Sequence, residues 1–106
     1  AQRQNFQRAQ LAGVKMAFGT DAGVFPHGNN AKQFPLMVKW GMTPMQAIQS
    51  ATISAADLLG MGEKIGEIEK GKFADIIAVA GNPVDDISVL EKGVKFVMKG
   101  GEIFKN

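Results

Sequence analysis

Two side chains in the stretch FGTDAGVFPHGNN, Phe18 to Asn30, could do chemistry. Asp21 stands three residues after the apolar segment VKMAF, 14–18, which predicts a short strand buried on both faces. In parallel α/β folds, ligands bind at the carboxyl ends of the strands. A carboxylate there can ligate a metal, act as a general base, or do both. Asp is also common as a turn former or helix cap, so the residues alone leave these interpretations open.

His27 is the single histidine of the chain and follows Asp21 by six residues. The two side chains can face one pocket, but no helical or strand periodicity requires it. One histidine cannot build a metal site, because protein zinc sites need several side-chain ligands. Taken by itself, His27 is most simply interpreted as a loop histidine that hydrogen-bonds to the backbone.

The composition is that of an ordinary globular chain of 106 residues, 45% hydrophobic and 21% charged. The net charge of +2 and the scattered basic residues argue against a nucleic acid partner. The absence of cysteine excludes disulfides and thiolate metal sites. No apolar run approaches the roughly 20 residues of a membrane span, so no membrane partner is expected. A start without Met hints at a processed or cut chain, and the compartment stays open between cytoplasm and periplasm.

The elements that must position these residues are mainly helices up to about residue 60. Helices are predicted over 2–12 and from about 31 to 40, with Asn30 or Pro35 near the second start. A third begins where Thr43 is the cap, Pro44 the first helical residue and Gln46 the partner in a capping box. A short helix capped by Ser54 is predicted to follow and to end at Gly60.

The pattern after Gly62 is rich in strands. Residues 64–83 read as strand-like, with a turn at Lys70-Gly71 and a buried run over 76–79. The stretch VDDISVL predicts one helical turn. The end of the chain, VKFVMKGGEIFK, predicts a β-hairpin through Gly100-Gly101. The fold class is therefore α/β, with βα material first and β-rich material after it.

The order of these blocks resembles the C-terminal end of amidohydrolase-superfamily enzymes. The resemblance rests on VKMAFGTDAGV followed by HG.N, on GMTPMQAIQSATISAADLLG, on GEIEKGKFADIIAVAGNP and on VKFVMKGGEIF, and it covers essentially the whole chain. The most similar branch is that of imidazolonepropionase-related metal hydrolases, particularly prolidase-like dipeptidases. The resemblance implies a (β/α)8 barrel with a small β-sandwich. Residues 1–61 would be the last βα portion of that TIM-like barrel, and 62–106 the C-terminal portion of the sandwich.

The resemblance also implies roles for the two side chains. Asp21 would bind a divalent metal, usually zinc, and take the proton from the attacking water. His27 would face the substrate from the loop above the metal. The family's other ligands, a His-x-His pair, a central lysine or glutamate and two more histidines, are not in this chain.

The implied function is hydrolysis of a C–N bond by a metal-dependent enzyme of which this chain is one part. The expected substrate is a small amide or a dipeptide, cut by a prolidase-like Xaa-Pro or related dipeptidase. A cyclic amidohydrolase of imidazolonepropionase type is one alternative, and a non-catalytic, self-associating module is another. The isolated 106 residues are expected to be inactive and to associate with copies of themselves or with a missing N-terminal portion.

Overall fold

The computed structural model describes residues 2–19 and 30–106. Within these ranges the helices are α1 (Gln2–Leu11), α2 (Gln33–Lys39), α3 (Pro44–Ala51), α4 (Ile53–Leu58) and α5 (Val89–Lys92), and a 3-10 turn, Asn30–Lys32, precedes α2. The strands are β1 (Ile76–Val79), β2 (Val94–Lys99) and β3 (Glu102–Lys105). None of the described helices is long and apolar enough to cross a membrane.

Helix α3 begins as its sequence predicts. The Thr43 hydroxyl accepts a hydrogen bond from the Gln46 N–H at 3.1 Å, and the Gln46 side-chain oxygen accepts one from the Thr43 N–H at 2.9 Å. Pro44 occupies the first turn, where its missing N–H costs nothing. The predicted capping box is thus confirmed in both of its bonds.

The other helices of this region begin and end close to the predicted residues, but the predicted cap of α4 is wrong. Helices α1 and α2 match the predicted ranges, and Pro35 falls in the first turn of α2. Helix α4 starts at Ile53, so Ser54 lies inside it and does not cap it. Thr52 precedes α4, but its hydroxyl donates to the Ile48 carbonyl of α3 at 2.9 Å. The two helices follow each other so closely that no capping turn fits at Ser54.

Segment 14–18 is not a strand in the structure, which corrects the strand prediction. Its backbone bonds go to helices: the Val14 N–H donates to the Ala9 carbonyl at 3.1 Å, and the Phe18 N–H to the Ser50 carbonyl at 2.8 Å. Val14 is 54% exposed, so burial on both faces is also wrong here. Apolar residues form a strand only where another strand offers a ladder of partner groups, and α1 and α3 offer isolated carbonyls instead.

The strands form one antiparallel sheet in the order β1-β2-β3. Ile77 pairs with Val97, and Val97 pairs in turn with Lys105. The turn between β2 and β3 is made by Gly100 and Gly101, whose φ angles of 59° and 83° lie in the left-handed region. The predicted hairpin is confirmed, and its turn is fixed further by the Gly100 N–H, which donates to the Asp75 carboxylate at 2.8 Å.

The segment before β1 contains turns where strands were predicted. The Lys70-Gly71 turn is present, with Gly71 at φ 93°. The Lys72 ammonium lies 3.0 Å from the Glu67 carboxylate and 3.4 Å from that of Glu69, which folds this stretch back on itself. The Phe73 N–H also donates to the Lys64 carbonyl at 2.8 Å, so this stretch closes on itself and strand pairing starts only at Ile76.

Two further predictions after Gly62 are corrected. The run 76–79 is not buried, because Ile77 is 52% exposed and Ala78 is exposed as well. The predicted helical turn forms later than expected, as α5 from Val89. Residues 83–88 form turns instead, in which the Asn82 and Asp86 side chains accept hydrogen bonds from the N–H groups two residues ahead. Asn and Asp often form such turns, which compete with the start of a helix.

The core lies between α2, α3 and the turn before α5. Its buried cluster is Met37, Met42, Ala47 and Ile87, and its partly buried neighbours are Phe6, Met16, Phe18, Phe34, Val38, Ile48 and Leu90. Ile87 therefore joins the part after Gly62 to the helices. A second close approach is at Gly66, where an added Cβ would lie 2.9 Å from the Cβ of Ala56 and 3.2 Å from the Thr52 carbonyl oxygen.

Candidate functional site

Asp21 and His27 lie in residues 20–29, outside the described part of the chain. The structure describes the residues on either side of this segment. Phe18 and Gly19 lead into it, and the 3-10 turn Asn30–Lys32 leads out of it into α2. The geometry of these two ends is the structural information that bears on the candidate site.

The entry to the segment is fixed at Phe18. Its N–H donates to the Ser50 carbonyl at 2.8 Å. Ser50 is in the last turn of α3, where carbonyl groups have no partner within the helix and can accept from outside. Ser50 is 2% exposed, and its hydroxyl donates to the Ala47 carbonyl at 2.6 Å. The backbone of Phe18 is therefore attached to a buried turn of a well-capped helix.

The exit from the segment is fixed against the entry. The rings of Phe18 and Phe34 stack with centroids 4.7 Å apart and planes inclined by 29°. Both rings pack on the core cluster of α2 and α3. The two stretches that flank residues 20–29 thus meet in one aromatic contact. This pairing could not be predicted from the sequence, because Phe18 has the pattern of a strand residue and Phe34 is one of several apolar residues of a helix.

The described residues do not fit a metal centre by themselves. In 2–19 and 30–106, no three His, Cys, Asp or Glu side chains come together. Asp21 is also the only acidic residue among the first 56 of the sequence, and His27 is the only histidine of all 106. The described residues therefore provide no complete ligand set for a metal.

Several shallow hollows lie elsewhere in the described structure, and two of them involve the helices α3 and α4. A polar cleft of about 180 Å³ between α1, segment 13–16 and α3 contains the Gln10 amide, which donates to the Gln46 side-chain oxygen at 2.9 Å. At its rim, Lys15 forms an ion pair with Asp57 of α4. A more apolar groove of about 440 Å³ runs between α4 and residues 65–77 and includes Leu59 and Phe73. Neither hollow brings together groups that would do hydrolytic chemistry.

Among the residues that the structure describes, two charged groups have shifted pKa values, and both stabilise turns. A hydrogen bond to the Glu67 carboxylate raises the pKa of Lys72, whose side chain is only 9% exposed. Hydrogen bonds from the hydroxyl and the N–H of Ser88 lower the pKa of Asp86. These residues lie in the turns before β1 and before α5, which explains their shifts without a catalytic role.

Comparison with known proteins identifies a family. The sequence model of the amidohydrolase family matches residues 1–104. The solved structure of a Xaa-Pro dipeptidase with methionine bound in its active site matches 98% of this chain, with a TM-score of 0.94 and 54% sequence identity. This chain covers 25% of that structure.

Two curated relatives have names other than dipeptidase. The ochratoxinase of Aspergillus niger is 40% identical over 104 residues, which are 94% of this chain and 21% of the relative. The imidazolonepropionase of Geobacillus kaustophilus is 31% identical over 108 residues, covering 88% of this chain and 25% of the relative. The chain therefore spans about a fifth to a quarter of the length of these proteins.

Proposed function

The chain belongs to the amidohydrolase family, and from that premise we propose that the complete protein is a metal-dependent hydrolase that cuts Xaa-Pro or related dipeptides. The observation that carries this proposal is the similarity to the Xaa-Pro dipeptidase, which extends over nearly the whole chain. The similarity includes both the helices and the sheet. The substrate class is then a small dipeptide whose C–N bond is hydrolysed.

Hydrolysis of a cyclic amide is the second candidate. It is favoured by the relative named imidazolonepropionase, whose match also covers most of this chain. The lower sequence identity of that match makes a dipeptide the preferred substrate. Specificity in a barrel enzyme comes from several βα-loops, and this chain provides one candidate loop, residues 19–33.

The chain is proposed to contribute to two domains of the complete protein. Residues 1–61 would form the last βα portion of a TIM-like barrel, and 62–106 would form the C-terminal portion of a β-sandwich. The change from helices to an antiparallel sheet within the described residues supports this division. Segment 14–18 would become the eighth barrel strand once neighbouring strands provide the hydrogen-bonding partners that it lacks among the residues described.

Asp21 is proposed to be both a metal ligand and the proton shuttle. A bound divalent metal, proposed to be zinc, would lower the pKa of a water molecule to about 7. The Asp21 carboxylate would accept the proton of that water on one oxygen and deliver it to the leaving amine. The position of Asp21 in the sequence, three residues after the apolar segment 14–18, supports this role, because ligands bind after such segments in parallel α/β folds.

His27 is proposed to contact the substrate and not the metal. It follows Asp21 on the same loop, and the two ends of that loop meet at the Phe18–Phe34 stack. A neutral imidazole can donate to a substrate carbonyl or accept from a substrate amine. In this arrangement one loop would provide the base and one polar contact to the dipeptide.

The test is an assay of the complete protein on a panel of substrates. Purified protein is stripped of metal with a chelator, reloaded with zinc, and given Met-Pro, Ala-Pro and imidazolonepropionate in turn. We expect hydrolysis of the Xaa-Pro dipeptides, loss of activity after chelation, and recovery with zinc. Faster turnover of imidazolonepropionate would favour the second candidate. No hydrolysis of Xaa-Pro substrates with any divalent metal would contradict the proposal.

A further inference from the structure

Residues 64–73, which we call the strap, form a closed loop between α4 and β1. The Phe73 N–H donates to the Lys64 carbonyl at 2.8 Å, which joins the two ends of the strap. The Ile65 N–H donates to the Met61 carbonyl at 3.0 Å and attaches these joined ends to the residues just after α4. The two ends of the strap are therefore fixed together and fixed to the helical region.

The side chain of Lys72 joins two residues of the strap and is shielded from water. It is only 9% exposed, and its ammonium lies 3.0 Å from the Glu67 carboxylate and 3.4 Å from that of Glu69. The two carboxylates are 55% and 61% exposed, so they remain largely in water. A shielded charge is tolerated while it is paired and becomes costly when its partner is removed. The ion pairs therefore favour the closed form of the strap.

The backbone of the strap lies directly on α4. An added Cβ at Gly66 would be 2.9 Å from the Cβ of Ala56 and 3.2 Å from the Thr52 carbonyl oxygen, and Ala56 is 1% exposed. The apolar groove of about 440 Å³ is lined by α4 on one side and by the strap on the other, where Ile68 and Phe73 contribute. The strap is thus one wall of the groove and covers part of α4.

We propose that the strap is a movable wall of this groove and that Lys72 is the latch that keeps it closed on α4. Opening would break the contact at Gly66, uncover Ala56 and return the Lys72 ammonium to water, while the sheet stays in place. Segments with few buried apolar contacts open at lower free energy than a core. The apolar side chains of the strap fit this description, since Ile68 is 81% and Phe73 56% exposed. The latch would then set how much apolar surface the groove offers.

The two sides of the latch are predicted to be unequal. Lys72→Met removes the shielded charge and leaves two carboxylates that are mostly in water. Combining Glu67→Gln with Glu69→Gln instead leaves the shielded ammonium without a negative partner, and opening of the strap relieves that penalty. The double variant should therefore open the strap more than Lys72→Met does. Lys70→Met is the matched control, because Lys70 is an exposed lysine of the same strap.

The experiment measures hydrogen exchange of the backbone amides by mass spectrometry in the complete protein and these three variants. Exchange in residues 64–73 is expected to be about 3- to 10-fold faster than in the wild type for Lys72→Met, and about 10- to 100-fold faster for the double variant. Lys70→Met should stay near wild type. The amides of α3, Pro44–Ala51, are the internal reference and should exchange at the same rate in all four proteins.

Three results would overturn the proposal, and none requires a substrate, so it stands or falls apart from the proposed function. Equal exchange of the strap in Lys72→Met and Lys70→Met would show that Lys72 is no latch, a comparison that remains decisive if the double variant does not fold. A double variant that exchanges no faster than Lys72→Met would contradict the role of the shielded charge. Exchange that accelerates equally in the strap and in α3 would show that the strap opens only when the whole protein unfolds.

Discussion

The helices and the sheet of this molecule differ in how much of their apolar surface they bury within the chain. In the helical region, residues 30–61, Met37, Met42, Ala47 and Ala56 are buried. In the sheet region, 62–106, the described structure buries one apolar residue, Ile87, and leaves Phe73 56% and Phe104 63% exposed. The helical region also exposes large apolar side chains, but it buries four apolar residues where the sheet region buries one; the exposed ones are Leu36, Met45, Ile53, Leu58 and Leu59. The difference indicates that the sheet region depends more on surfaces outside this chain.

The largest expected effect concerns the chemistry proposed for Asp21, which precedes the helical region in the sequence. Asp21→Asn in the complete protein is expected to lower kcat by about 10³-fold or more, because it removes a base and a charged ligand together. The control is Asp85→Asn, the same change at an exposed carboxylate of the sheet region. Steady-state kinetics with a measured metal content checks this. Near-normal turnover of the Asp21 variant with metal bound would rule out the assigned role.

A smaller effect is expected at the second candidate residue of the same loop. His27→Ala should change KM or kcat by about 10- to 100-fold, since it removes a contact to the substrate and leaves the base in place. Metal content, measured by atomic absorption, should equal that of the wild type. Loss of metal from this variant would instead make His27 a ligand, and its role here would have to be revised.

The difference in burial predicts how the isolated 106 residues behave. They are expected to be inactive, because one Asp and one His cannot provide the ligands of a catalytic zinc, and to self-associate through the exposed sheet. Light scattering after gel filtration should show a mass above that of one chain. Phe104→Glu in β3 should shift it toward the monomer, whereas Leu11→Glu at the end of α1 should not. A monomeric wild-type chain would show that the sheet region needs no partner.

Within the helical region, the capping box offers a test of local stability. Thr43→Ala removes the acceptor for the Gln46 N–H and should lower the free energy of unfolding by about 1 kcal/mol. Thr43→Ser keeps the hydroxyl oxygen and should lose much less. Urea unfolding of the complete protein followed by circular dichroism measures both. Equal losses in the two variants would show that the methyl group, and not the cap, is what matters.

The smallest effect is expected at an exposed turn of the sheet region. Hydrogen bonds from Ser88 lower the pKa of Asp86 below its ordinary value of 3.8. Because the pKa of Asp86 is lower in the folded state, its ionised form stabilises the fold at pH values above the ordinary pKa. That stabilisation is lost as the pH falls through the folded-state pKa. Asp86→Asn should therefore make the urea midpoint less sensitive to pH between about 5 and 3. An unchanged pH dependence would mean that the turn opens before unfolding.

The parts of the fold that the sequence predicted are those with local causes. The capping box depends on residues 43–46, and the hairpin turn depends on two adjacent glycines, so both can be recognised within a few residues. The errors have distant causes. Segment 14–18 has the composition of a strand but bonds to helices, and Ser54 lost its capping role because Thr52 continues the turn of α3.

The family could be predicted from the sequence as well, whereas the roles of Asp21 and His27 stay predictions. The position of Asp21 after an apolar segment, together with a resemblance in the order of the motifs, led to the family that the comparisons show. The stack between Phe18 and Phe34 joins residues 16 apart and involves two different elements. No periodicity relates the two rings, so only the folded chain shows that they meet.

The close approach at Gly66 has a consequence at the level of the gene. Its φ of 99° lies in the left-handed region, and the space beside its Cα is filled by Ala56 and Thr52. Every codon that differs by one nucleotide from a glycine codon specifies glycine, a residue with a Cβ, or a stop. Each such amino acid replacement would push residue 66 against α4 and separate the sheet region from the helices. We therefore expect this codon to tolerate only synonymous changes, whereas the open turn at Gly71, with no atom near an added Cβ, should accept asparagine.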